Sequence, residues 1–298
     1  NSEDNIKELL KLFNDITKIK ISKDLEWITK EPRTLCLLIS QACNLRCSYC
    51  YANHGAFGGK EHLMTIDIAK KCIDKILSTN FANFIVFFGG EPFLNFPLME
   101  DIEEYGRQVG LEIKYMTITN GTIMNDSIER FITDKMFSIC VSLDGPKEIN
   151  DMQRYSGEIS AHDQAIMTIE RLKSNKIPFS VKCTATKSSI AKLVEISEYL
   201  NTLGADSMAF APADMIPQSG KILLLSESEI EIFSNKLTEI LLNNLNQLSS
   251  GNMATVVSPI FDILSHLVTK TRAIHNCSAG REYIAVTADG DVYPCHEF

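Results

Sequence analysis

Three cysteines, Cys43, Cys47 and Cys50, lie in the stretch CNLRCSYCY, separated by three and two residues. Thiolates are soft ligands for iron and zinc, and a CxxC pair already supplies half of a tetrahedral zinc site. A third close thiolate asks for a different geometry. Three thiolates hold three irons of a cubane [4Fe–4S] cluster and a fourth would close it, so a loop of three leaves one iron with an open coordination position. Open positions separate catalytic metal sites from structural ones. The competing reading is part of a zinc knuckle completed by His54 or His62.

Other polar clusters close apolar, β-prone runs. Gly89-Gly90-Glu91-Pro92 follows FIVFF, Thr119-Asn120-Gly121 follows KYMTI, and Ser142-Leu143-Asp144-Gly145-Pro146 ends FSICVSL. Glycines let a backbone approach a ligand closely, and the Glu91 carboxylate can pair with an ammonium group. The same residues are also ordinary turn formers. Lys182 in FSVKCTA alternates with apolar neighbours and points either into an interior or to solvent, and Cys183 is expected to face that interior. Cys36, Cys72 and Cys140 sit in apolar patterns and read as core residues.

These motifs need a scaffold that places strand ends side by side. Apolar runs at 34 to 40, 84 to 88, 112 to 119, 137 to 143, 179 to 185 and 206 to 212 read as strands. Helical patterns separate them at 64 to 77, 97 to 108, 125 to 135, 162 to 174 and 188 to 202. Alternation of this kind demands parallel pairing through right-handed crossovers, hence a doubly wound sheet or a barrel. The polar motifs all follow strands, which gathers them at the carboxyl end and favours an α/β fold of the partial (β/α)6 TIM-like barrel type. Before it, residues 5 to 20 read as an amphipathic helix within a segment 1 to 33; the barrel is expected over 34 to 217. Residues 218 to 276 form a helical linker region. There Ser226 and Glu229 make a capping box for a helix to about 248, and a second helix covers 256 to 268. Residues 277 to 298 carry a hairpin around Asp289-Gly290.

Composition narrows the classes. The formal net charge is −9 and no Lys/Arg run is present, which argues against nucleic acid as a partner. No window approaches the roughly 18 apolar residues of a membrane span. The amino end lacks an export signal, and the absent initiator Met leaves its processing open. Nine cysteines, an odd number with three clustered, fit metal-bound thiolates in a reducing cytoplasm better than a disulfide frame.

The pattern Cys43-x3-Cys47-x2-Cys50, with aromatic Tyr49 before the third cysteine, resembles the signature of the radical S-adenosylmethionine (SAM) superfamily. The resemblance implies that the amino and carboxylate groups of SAM chelate the open iron, and that one electron then yields a 5′-deoxyadenosyl radical. It further implies that Gly89, Gly90 and Glu91 form the SAM-amino-group motif and that the Tyr49 backbone touches adenine. By the same resemblance Asn120, Ser142 and Asp144 join the cofactor-binding set, and the Arg154 guanidinium meets the methionine carboxylate. The tail, Cys277-x12-Gly290-x4-Cys295, resembles the opening of the SPASM extension, which holds auxiliary [4Fe–4S] clusters. The later cysteines of that module are not in this sequence, and two thiolates alone do not close a cluster; His296 beside Cys295 is expected to be solvated. The expected activity is hydrogen abstraction from a ribosomal precursor peptide with thioether formation from cysteine, an electron donor such as flavodoxin or ferredoxin assisting. The alternatives are an anaerobic sulfatase maturase making formylglycine, and a non-catalytic iron–sulfur or zinc-binding module.

Overall fold

The computed structural model describes residues 34–77, 84–155, 157–213, 225–249, 255–258 and 277–297. The expected amino-terminal segment and most of the expected helix over 256 to 268 lie outside the described residues. The strand β1 (Thr34–Gln41) is buried on both faces, as its unbroken apolar run requires. Two short strands, β2 (Arg46–Cys47) and β3 (His62–Leu63), and helix α1 (Ile66–Leu77) precede β4 (Phe84–Gly89). A single 3-10 turn leads into α2 (Phe96–Gln108), followed by β5 (Lys114–Thr119), α3 (Asp126–Lys135) and β6 (Met136–Ser142). Next come α4 (Lys147–Gln153), β7 (Arg154–Tyr155), α5 (Ala161–Ser174), β8 (Phe179–Ala185), α6 (Leu193–Thr202) and β9 (Ser207–Pro212). The described chain ends with α7 (Glu227–Ser249), β10 (Val256–Val257), β11 (Tyr283–Val286) and β12 (Val292–Tyr293).

The sheet order is β10-β9-β8-β6-β5-β4-β1-β11-β12. Apart from the two-residue strands, each of β1, β4, β5, β6, β8 and β9 lies beside the next one in sequence, and all these pairs are parallel. Successive right-handed crossovers that always step in the same direction put every helix on one face of the sheet. That excludes the doubly wound alternative and leaves a partial barrel. Alternation along the strands separates two layers. Leu35, Leu37, Ile39, Ile85, Phe87, Ile139, Val141 and Val181 pack with the helices, while Cys36, Leu38, Val86 and Ala285 pack on the inner face. Cys183 belongs to the helix-facing layer, contrary to the expectation, because its neighbours Lys182 and Thr184 take the inward positions.

Val256 and Val257 are strand, paired parallel to Ser207 and Met208, where a helix was expected to begin; β-branched residues at a free sheet edge gain ladder hydrogen bonds there. The capping box before α7 is formed: Ser226 N donates to the Glu229 carboxylate at 2.7 Å, and Glu229 N donates back to Ser226 Oγ at 3.4 Å. The tail hairpin is built on the barrel's own sheet. β11 runs parallel to β1 on the side away from β4, and β12 returns antiparallel around Gly290, whose φ of +93° suits glycine.

Buried Asn95, the last residue of the 3-10 turn, donates from Nδ2 to Ile39 O in β1 at 2.8 Å and to Met64 O just after β3 at 3.0 Å. Asn95→Ala removes both Nδ2 bonds, leaving Ile39 O with its bond from Met64 N, and is expected to cost about 1–3 kcal/mol. Urea unfolding measures this, with an unchanged m-value showing that the fold itself persists.

Candidate active site

The cysteine loop leaves the end of β1 and is fastened by a two-strand sheet. Cys47 in β2 faces Arg154 in β7, Arg46 faces Tyr155, and Ser48 N donates to Gln153 O at 2.9 Å. Beyond it the chain coils tightly through left-handed residues Asn53, His54 and Phe57, each with φ between 46° and 59°. Strain of that kind, about 1–2 kcal/mol per residue, persists only where surrounding contacts impose it. Backbone N–H groups point at sulfur: Leu45 N to Cys43 Sγ at 3.4 Å and His54 N to Cys50 Sγ at 3.2 Å. Burial, reinforced by the Glu91 carboxylate, pushes the Cys43 thiol up to about 12. Burial pushes Cys47 to about 11, against the pull of Arg154. Without a cation these groups stay thiols; a metal centre is what would make them thiolates.

All three cysteines line a cavity of about 250 Å³ at the carboxyl ends of the strands. Among the described residues no three Cys, His, Asp or Glu side chains converge as ligands of one metal ion. A cubane does not need such convergence, since each thiolate takes a different iron. The donor set therefore fits an iron–sulfur cluster better than a zinc knuckle. Two buried polar atoms in the same loop, Tyr51 Oη and His54 Nδ1, have no protein partner among the described residues, and Tyr51 lines the cavity, where a ligand would satisfy its hydroxyl.

Asp144 and Arg154 form the buried anchor of this loop. Arg154 donates through Nε to Asp144 Oδ2 at 2.9 Å and through Nη2 to Oδ1 at 3.0 Å, a bidentate pair. Asp144 also accepts from Tyr49 Oη at 2.6 Å, Gln153 Nε2 at 3.1 Å and Thr184 N at 2.9 Å. Its carboxylate is fully buried and accepts five hydrogen bonds from protein groups, which places Asp144 inside the cavity wall, where it positions Arg154 and Tyr49. Arg154 gives two of its five N–H donors to Asp144, and the others remain for a ligand. Arg154 still lines the cavity, with its guanidinium 5.5 Å from the centre of the Tyr49 ring.

Glu91 is likewise held inside the wall. Its carboxylate is fully buried and accepts from Phe93 N at 3.1 Å, Thr119 Oγ1 at 2.8 Å and Asn120 N at 2.8 Å. Burial raises its pKa to about 7 against those three donors, which favour the charged form. The side chain stitches the end of β4 to the end of β5 and leaves the cavity wall to Gly89 and Gly90. Those glycines are required by the chain's own backbone. A Cβ on Gly90 would lie 2.3 Å from Ala42 O and 2.8 Å from Gly55 Cα, and one on Gly89 would lie 2.1 Å from Ser40 O. Asn120 lines the cavity and holds the loop through Nδ2, which reaches Asn44 Oδ1 at 2.9 Å and Cys43 Sγ at 3.8 Å. Ser142 and Tyr49 line it too, so the structure brings Cys43, Cys47, Cys50, Tyr49, Gly89, Gly90, Asn120, Ser142 and Arg154 together around one space.

Three further residues contribute. Lys182, which the sequence left between interior and solvent, projects from β8 into the cavity, and His296 and Glu297 reach it from the tail. His296 is partly buried rather than solvated: its ring lies 4.3 Å from that of Phe88, and its Nδ1 is 2.7 Å from Tyr283 Oη. Burial and the charge of Lys182 lower its pKa to about 4, so it is neutral at pH 7. Cys277 is exposed and Cys295 partly buried, both free thiols. They flank one junction of the tail, where Gly280 N donates to Pro294 O at 2.9 Å.

Comparison with known proteins decides the family. The radical SAM superfamily model matches residues 37–187. The chain belongs to the radical SAM superfamily. It is 34% identical over 210 residues to the uncharacterized protein MJ0907 of Methanocaldococcus jannaschii, covering 69% of this chain and 70% of that one. It is 25% identical over 291 residues to a cysteine-type anaerobic sulfatase-maturating enzyme of Clostridium novyi, covering 88% and 74%. Among solved structures, native anSMEcpe with bound AdoMet and a Cp18Cys peptide superposes with a TM-score of 0.74 at 23% identity, over 90% of this chain and 74% of that one. Streptococcus suis SuiB bound to precursor peptide SuiA gives 0.66 at 15% identity, over 100% and 65%. These last two likenesses show a shared fold. Membership in the superfamily identifies the chain as an enzyme that uses SAM and a [4Fe–4S] cluster, the group that Cys43, Cys47 and Cys50 would hold.

Replacing any one of Cys43, Cys47 or Cys50 by Ala is expected to abolish the broad visible absorbance of the anaerobically reconstituted protein and most of its bound iron. Gly90→Ala, whose Cβ collides with backbone, is expected to lower the iron content and the melting temperature together. Asp144→Ala leaves a buried guanidinium without its counter-ion and is expected to destabilise the fold by about 3–5 kcal/mol in chemical denaturation.

Proposed function

We propose that the chain modifies a peptide at or beside a cysteine, abstracting hydrogen from a C–H bond and closing a thioether from the cysteine sulfur. The observation that carries this reading is the cavity itself. Its walls combine the three-cysteine loop, the Gly89-Gly90 turn and inward side chains of β4, β5, β6, β8 and β9, and the space opens at the barrel's carboxyl end. Bound there, the cluster and SAM supply a 5′-deoxyadenosyl radical on one-electron reduction.

The chain's own residues do the rest. Asp144, through Arg154 and Tyr49, keeps the cysteine loop in register with β6 and β8. Leu45 N and His54 N stabilise negative charge on sulfur, and Asn120 adds a longer contact. Phe88, Ile118, Ala211 and Pro212 give the cavity apolar walls that exclude water from a reactive intermediate. Forming a C–S bond from C–H and S–H removes two hydrogens. The first goes to the 5′-deoxyadenosyl radical, and the second leaves as a proton and an electron, so an acceptor is needed. Cys277 and Cys295, on one junction of the tail, would contribute to an auxiliary cluster in that role, with further ligands from elsewhere. A flavodoxin or ferredoxin would deliver the initiating electron.

A second reading, oxidation of a cysteine to formylglycine, is favoured by the similarity to sulfatase-maturating enzymes over 88% of this chain. One assay separates the readings. Anaerobically reconstituted protein with dithionite and SAM is expected to release 5′-deoxyadenosine, and Cys47→Ser is expected to release none. A small cysteine-rich peptide encoded near this chain is expected to lose two hydrogens, with its cysteine becoming resistant to alkylation. Conversion of a sulfatase-derived cysteine peptide to an aldehyde, with the first peptide unchanged, would establish the second reading instead.

A further inference from the structure

The two basic side chains that line the cavity among the described residues differ in their bonding. Arg154 is anchored by Asp144 through two of its donors. Lys182 is not committed: its ammonium has no hydrogen bond or ion pair with a described residue. It stands on the inward face of β8, in register with Ser142 of β6 on one side and Ala209 of β9 on the other. A partly desolvated ammonium without a partner is unfavourable until an anion arrives.

The position of that charge says which anion. Arg154 lies opposite Cys47 in the two-strand sheet, at the cysteine loop itself. The loop meets β8 at Thr184, through Asp144 and Tyr49. Lys182 lies two residues before Thr184 on the same inward face, one step deeper in the barrel than the strand end that meets the loop. The carboxylate of SAM is expected beside that loop, at the open iron, so the anion opposite Lys182 belongs to the second ligand.

We propose that Lys182 is a specificity residue that binds a carboxylate of the peptide substrate, from an acidic side chain near the reacting cysteine or from the peptide's carboxyl end. This rests on the peptide-modifying reading above. Discrimination follows from the same physics: a neutral isostere leaves the partly desolvated ammonium unpaired, which costs more than a lost surface ion pair. In a chain of net charge −9, one inward cation also marks the point to which an acidic peptide is drawn.

The test uses cysteine-centred peptides in which a single aspartate is moved from position to position, each with an asparagine twin, and with the carboxyl end free or amidated. Binding to the reconstituted, SAM-loaded protein is read by anaerobic titration calorimetry. At least one acidic peptide is expected to bind about tenfold or more tightly than its neutral twin. Scanned positions against amidation distinguish a side chain from the carboxyl end. Lys182→Met is expected to erase the preference while the neutral twin binds as before, and Lys182→Arg to restore part of it. Lys182→Gln, close in size and polar, covers the case in which Met disturbs the barrel. SAM affinity in the absence of peptide is the decisive second readout. A tenfold fall there in Lys182→Met, with the peptide preference intact, would assign the anion to SAM and overturn the proposal. So would peptide binding that never distinguishes acid from amide. A wild-type protein that forms no 5′-deoxyadenosine, or binds none of these peptides, would count against the peptide-modifying reading itself.

Discussion

The buried pair of Asp144 and Arg154 is the constraint from which the site's geometry follows. A carboxylate removed from water is tolerable only when its lone pairs are taken up, and here donors from Tyr49, Gln153, Arg154 and Thr184 converge on it. Those donors come from the cysteine loop, from α4, from β7 and from β8. One carboxylate thereby fixes the lateral position of the metal-binding loop against two barrel strands. The two-strand sheet of β2 and β7 extends the same clamp, because the residue opposite Cys47 is Arg154 itself.

A second clamp holds the other side of the loop and works by close approach rather than charge. Gly90 and Gly55 let their backbones meet Ala42 at distances that no side chain would permit. Hydrogen bonds from Gly90 N to Ser40 O and from Glu91 N to Ala42 O, at 2.8 and 2.9 Å, lock the arrangement. Glu91 then joins the β4 turn to the β5 turn. The glycine turn and the acidic residue after it thus act first on the protein's own architecture, and only through it on a cofactor. Both clamps leave sulfur and glycine backbone facing the cavity while their charged groups stay inside the wall.

The tail has a comparable double character. Its hairpin prolongs the barrel's sheet past β1, and its last described residues turn back to place His296 against Phe88. Cys295 thereby directly precedes the cavity-lining His296, and Cys277 lies three residues before Gly280, whose N–H bonds Pro294 O. Among the described residues no helix is long and apolar enough to cross a membrane.

The sequence by itself determined the strand and helix order, because continuous apolar runs and 3.6-residue periodicity report burial directly. It also determined the metal chemistry, because three thiols at short spacing are a local property of CNLRCSYC. The turns after β4, β5 and β6 were legible as site elements for the same reason: each follows a strand end. Tertiary structure decided what sequence patterns do not encode, namely which polar side chains face the cavity and which are spent inside the wall. Glu91, Asp144 and Arg154 read in sequence as ligand contacts, but their protein partners lie between 2 and 95 residues away, and only folding reveals how much of their bonding those partners take. Lys182 was an even choice between two faces until the register of β8 against β6 turned it inward, and His296 needed the pairing of β11 with β1 to reach the site at all. A short motif states its chemistry through residue type and spacing; orientation and saturation are long-range properties, settled by packing.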